Sequence, residues 1–112
     1  MRYLSLLWGD EAAELALSAD ERLAIVNEHG AFARRVRDRG REAAGEALGS
    51  ARDAILVRRR DGSAVDGPFL ETKEQIGGFY VIDCRDRDEA VAIARDIPAS
   101  PGLTVEIRAL PD

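Results

Sequence analysis

Two strand-like segments of this chain are apolar on both faces, and that restricts the folds open to it more than any other feature. Arg2 to Trp8 reads Arg-Tyr-Leu-Ser-Leu-Leu-Trp, with Leu4, Leu6 and Trp8 on one face and Tyr3 and Leu7 on the other. Phe79 to Cys84 reads Phe-Tyr-Val-Ile-Asp-Cys and is likewise apolar on both sides. A sheet with one solvated face is built from alternating strands, so these two demand cover above and below. The stretch from Leu103 to Leu110 does alternate: Leu103, Val105, Ile107 and Ala109 against Thr104, Glu106 and Arg108. It reads as an edge strand with one wet face.

Two amphipathic helices supply cover for one side. Ser18-Ala19-Asp20-Glu21 is a capping box, with Ser18 as N-cap and Glu21 reaching back to it. The helix it opens is expected to run to about Arg39, where Gly40 ends it and Arg37 and Arg39 suit its negative end. Its stripe is Ile25, Val26, Phe32, Ala33 and Val36, with His29 in the middle. Asp86 caps a second helix whose buried face is Ala90, Ile93, Ala94 and Ile97, stopped by Pro98. The acidic, alanine-rich residues 10–17 read as a short helical turn or flap. Ala54 to Arg58 is a strong strand, and Asp61-Gly62 returns it through Ser63-Ala64-Val65 as a hairpin.

Composition narrows the class of partner. With 46% hydrophobic and 33% charged residues the chain belongs among folded proteins. A net charge of -5 disfavours nucleic acid, which needs clustered cations. The charge is uneven: residues 34–60 hold nine Arg against four acids, residues 61–112 five bases against eleven acids. Arg34, Arg35, Arg37, Arg39, Arg41 and Arg58-Arg59-Arg60 read as solvated faces and edge protection. The lone Cys84 excludes an internal disulfide and reads as a small buried hydrophobe. No apolar stretch reaches membrane-spanning length and no signal region opens the chain, so no membrane contact and a cytoplasmic location are expected. One His and one Cys make no ordinary zinc site, and no P-loop or dinucleotide fingerprint is present, so no cofactor is expected.

The densest local chemistry lies between the hairpin and the second two-faced strand. Asp66-Gly67-Pro68-Phe69-Leu70-Glu71-Thr72-Lys73-Glu74-Gln75-Ile76-Gly77-Gly78-Phe79-Tyr80 opens as a turn, carries three charges, and is released by two glycines into the strand. Gly67 is expected to need a φ that a branched residue resists. This run (DGPF, then ETKEQ, then GGFY) closely resembles the signature of the YCII-related family, in its DGPF-type branch. The resemblance implies that Arg41 to Leu48, weak by composition, is a strand. The order then becomes strand, helix, strand with a hairpin, strand, helix, strand. That is an α+β, ferredoxin-like split βαβ sandwich with an extra hairpin, one domain over residues 1–112. Burying a Leu- or Phe-sized side chain is worth roughly 1.5–3 kcal/mol, so the uncovered sheet face calls for a second subunit. The resemblance implies a homodimer closed as a dimeric α+β barrel, and a charge at Leu7 or Tyr80 is expected to produce monomers or loss of folding.

The resemblance also points to a site. YCII-type relatives carry a helix histidine eleven positions before the terminating glycine, as His29 and Gly40 stand here, and an aspartate after the second helix followed by Gly-Leu. Asp96 with Gly102-Leu103 is similar, although Ile97 intervenes before Pro98. The implied chemistry is histidine–aspartate proton transfer on a small organic molecule, of a lyase or dehydrohalogenase-like kind. Asp66 is the alternative carboxylate partner of His29. Glu46, in Ala44-Gly45-Glu46, resembles the family's step at a strand end and is expected to face the same cavity. Glu71, Lys73 and Glu74 are the loop's candidate ligand-binding residues. The competing reading is a non-catalytic ligand-binding or regulatory dimer, since the resemblance also implies a sigma-factor context.

Overall fold

The structure is a computed structural model, and it describes residues 1–111. Strand β1 (Arg2–Asp10) leads into a short helix α1 (Glu11–Leu15) and then the long helix α2 (Ala19–Asp38). Strand β2 (Ala43–Ala47), a 3-10 turn at Ala51–Asp53, and the small strands β3 (Ile55–Val57) and β4 (Ala64–Asp66) come next. Strand β5 (Glu74–Asp83), helix α3 (Arg87–Ala94) and strand β6 (Thr104–Ala109) complete it. Four strands form one sheet in the order β2-β5-β1-β6, every neighbouring pair antiparallel, while β3 and β4 pair as a separate two-stranded hairpin. The chain is an α+β protein. Among the described residues no helix is long and apolar enough to cross a membrane.

The local signals do what their chemistry requires. Ser18 accepts from the Glu21 N–H at 3.1 Å while Glu21 accepts from the Ser18 N–H at 3.0 Å, which closes the capping box. Helix α2 stops at Asp38, and Gly40 turns the chain with a φ of 79°. Asp86 caps α3 by accepting from the Glu89 N–H at 2.8 Å. Segment 10–17 holds the helix α1, capped by Asp10, which accepts from the Ala13 N–H.

Both long helices lie on one face of the sheet. Phe32 and Val36 of α2, and Ala90 and Ile93 of α3, form a core with Tyr3, Ile82, Cys84 and Ile97. The α2 stripe is narrower than its spacing promises: Val26 is 64% exposed, and Phe32 and Val36 alone are fully buried. The amino-terminal half of α2 therefore stands off the sheet, which leaves room beneath it.

Registers assign the two faces. Leu4 pairs with Val81 and Leu6 with Phe79, so these four share the face away from the helices, with Ala44 opposite Val81 on the other side. Along the rim, Trp8 donates to Glu106 at 3.0 Å. Leu7 and Tyr80 belong to the helix side, packed against the core. They are not on the face away from the helices, so of the two outcomes expected from charging them, monomers or loss of folding, their packing fits the second and corrects the first.

Strand β5 is irregular where it passes under α2. Leu7 pairs with Gly78 but Trp8 pairs with Ile76, so Gly77 is an extra residue bulged out of β5. Strand β5 also begins at Glu74, five residues before the apolar run that announces it, because Gln75 and Glu74 pair with Gly9 and Asp10. Half of the signature loop is therefore strand.

Candidate functional site

Beneath the middle and carboxy-terminal part of α2 a cleft of about 320 Å³ opens between that helix and strands β2 and β5, lined among others by Leu7, Val26, His29, Arg37, Gly45 and Tyr80. Three local facts make it. Val26 and Gly30 do not fill the space under α2, Gly45 puts no side chain on the β2 floor, and Gly77, bulged out of β5, lines the cleft without a side chain.

His29 and Tyr80 meet inside it. The imidazole Nδ1 lies 2.8 Å from the Tyr80 hydroxyl. The rings are stacked at 5.9 Å between centroids with 25° between planes, and Phe32 packs edge-on to the Tyr80 ring at 5.1 Å. Burial pushes the His29 pKa below its usual value, only partly opposed by the Glu28 charge. Burial likewise pushes the Tyr80 phenol up, opposed by the Arg37 charge. Both groups are thus held neutral near neutral pH. With the imidazole proton on Nε2, the phenol donates to Nδ1; with the proton on Nδ1, the direction reverses. Either arrangement keeps one ring nitrogen available to the cleft.

The carboxylates named from the sequence lie elsewhere. Asp96 follows α3 and faces Arg39 at 3.7 Å across the surface. Asp66 is exposed at the end of β4, in register with Ile55 of the hairpin. Glu46 borders the cleft, but its pairing with Phe79 puts its side chain on the sheet's other face. Neither Asp66, Asp96 nor Glu46 hydrogen-bonds His29, whose partner is a phenol 51 residues away. Lys73 reaches Asp10 at 3.5 Å, and Glu74 pairs in register with the same residue. Glu71 is exposed. Most of the signature loop's chemistry locks the loop: Gln75 donates to the Leu70 and Thr72 carbonyls at 2.7 and 3.0 Å, and the Thr72 hydroxyl donates to the Glu74 carbonyl at 2.7 Å.

Tyr80 is the residue that reading the strand by hydrophobicity missed. A signal for it exists. Tyr80 alternates with Ile82, which puts its phenol on the helix side, and a half-buried hydroxyl there needs a polar partner. His29 is the polar residue in the facing stripe. Among the described residues no three His, Cys, Asp or Glu side chains converge to hold a metal.

The structure is an α+β protein, an antiparallel sheet carrying two helices on one face, with a histidine–tyrosine couple in the cleft between α2 and the sheet. The YCII-related domain matches residues 1–110. The chain belongs to the YCII-related family. It is also similar to an uncharacterized protein of Rhizobium meliloti (strain 1021), 36% identical over 114 residues that cover 98% of this chain and 92% of that one.

Proposed function

We propose that this YCII-related protein binds a small organic molecule in the cleft under α2 and that His29 is the proton-handling group there. The observation that carries this reading is the 2.8 Å contact between His29 Nδ1 and the Tyr80 hydroxyl in an open cleft. A neutral imidazole with one nitrogen tied to a neutral phenol has its ring fixed and its second nitrogen free to accept or donate. Tyr80 takes the orienting role that the family resemblance gives to an aspartate. Asp66, Asp96 and the loop residues Glu71, Lys73 and Glu74 enter this proposal only as groups that a ligand or a second subunit would have to bring closer.

The experiment follows the single histidine. NMR signals of the His29 imidazole are monitored while small organic molecules are screened against the full chain. A subset should shift those signals saturably, and His29→Gln should abolish their binding while leaving the thermal midpoint within a few degrees. A screen that never moves the imidazole, or a His29→Gln protein that fails to fold, overturns the reading.

A homodimer belongs to the same proposal. The strand order β2-β5-β1-β6 with both helices on one face supports a ferredoxin-like sandwich as one domain over residues 1–112, and the Asp66-Gly67-Pro68-Phe69 run supports the DGPF-type branch. Its other sheet face carries Leu4, Leu6, Phe79 and Val81 at its centre. Two copies stacked through that face would bury all four from each side and close a dimeric α+β barrel.

A further inference from the structure

Past His29 the space under α2 continues into a second cleft of about 370 Å³, bounded by α1 and walled by Leu7, Leu17, Ile25 and Leu103. His29 lines both clefts, and Glu14 enters the second from α1. The Glu14 carboxyl is laid against backbone: a Cβ on Gly9 would collide with Glu14 Oε1, and one on Gly77 would stand 3.7 Å from Oε2. Two glycines, one of them the β5 bulge, thus make its berth.

The neighbouring carboxylates are engaged. Asp10 accepts from the Ala13 N–H at 3.1 Å and faces Lys73, and Glu11 accepts from the Ala51 N–H at 2.9 Å. The Glu14 carboxyl accepts from no group among the described residues. Burial pushes its pKa up, and the Glu11 and Asp10 charges add to that. A guest bringing a positive hydrogen-bond donor would relieve both effects at once. Neutral His29 does not repel such a guest. Arg22 also borders the cleft; it is exposed and makes no ion pair with Glu14, which makes an anion the competing guest.

We propose that Glu14 is the head-group contact of this second cleft, and that the cleft takes a small, mostly apolar amine. The ammonium sits on Glu14 and the apolar body runs along Leu7, Ile25 and Leu103 toward His29. This rests on the small-molecule reading of the His29 cleft and names the ligand class for it.

The test uses two probes of matched shape, benzylamine and benzoate, titrated into the full chain with the His29 imidazole and α1 amide signals followed by NMR. Benzylamine should shift both sets saturably in the millimolar range, with benzoate about tenfold weaker or worse. Glu14→Gln should weaken benzylamine about tenfold, the loss of one charged hydrogen bond. Benzoate binding as well as benzylamine, no saturation by benzylamine, or indifference to Glu14→Gln each overturns the proposal. If Glu14→Gln lowers the thermal midpoint, the comparison of the two probes on the native chain decides. A molecule that moves His29 but ignores Glu14→Gln removes Glu14 alone; the failure of every molecule to move His29 removes the underlying reading with it.

Discussion

Gly45 stands directly opposite Tyr80 in the β2–β5 pair, and the absence of a side chain there is what lets the phenol reach His29. A Cβ at position 45 would come within 2.7 Å of Tyr80 Cδ1 and collide with the Phe79 carbonyl. Gly45→Ala should therefore push the Tyr80 ring off its place and lengthen the His29 contact. The expected cost is about 1–3 kcal/mol, the range for overpacking a filled site. Urea unfolding together with the His29 imidazole shifts would check it; unchanged stability and unchanged shifts would mean the ring does not depend on the glycine.

Stability should also carry a His29 signature in its pH dependence. The folded pKa is lowered below the usual 6.5 by burial, so the unfolded chain takes up this proton first as the pH falls. The contribution is fully present above pH 6.5, is lost progressively as the pH drops through the window between 6.5 and the folded value, and then levels off. His29→Gln should remove that component from the difference between unfolding curves at neutral and mildly acid pH. A wild-type protein and a variant with parallel curves across the window would contradict it.

Legibility in the sequence depended on the distance over which each feature is decided. The Ser18 box, the Asp86 cap and the Gly40 terminus are set within four residues, and their signals were sufficient. The start of β5 is decided by Gly9 and Asp10, far upstream in the chain, so Glu74 and Gln75 read as loop although they are strand. His29 stood out as the one polar residue of its stripe, yet its partner lay on a strand whose apolar neighbours made Tyr80 look like core. Glu14 was hidden in an alanine-rich segment because its berth is made by two glycines from other elements. Val26 fits a helical stripe but is exposed, since periodicity fixes a direction and not whether a sheet lies there.

Gly67 is needed for space. Its φ is not positive, but a Cβ there would stand 2.9 Å from Ala54 Cβ and 3.1 Å from the Ala54 carbonyl oxygen, to which Gly67 donates its N–H at 2.7 Å. Gly67→Val should thus separate the base of the β3–β4 hairpin and destabilise more than Ser63→Val near its tip. Gly67→Ala should already show part of the loss, as a φ requirement alone would not single out this contact. Thermal midpoints of the three variants would decide it, and a Gly67→Val protein as stable as Ser63→Val would overturn the argument.

The sheet face away from the helices yields the prediction with the widest consequences. Leu6 and Phe79 are paired across β1 and β5 there, beside Leu4 and Val81, while Leu7 and Tyr80 point into the core. The two sets should respond differently to charge. Phe79→Glu should leave a folded chain that sediments as a monomer, because it removes an apolar contact from each subunit and buries a carboxylate only if the dimer forms. Leu7→Asp should instead abolish folding, since its side chain packs against the cluster around Tyr3 and Phe32 on the helix side. Analytical ultracentrifugation at micromolar concentration with circular dichroism separates these outcomes. A native chain that sediments as a monomer would remove the dimer, and with it the account of why two strands of so short a chain are apolar on both faces.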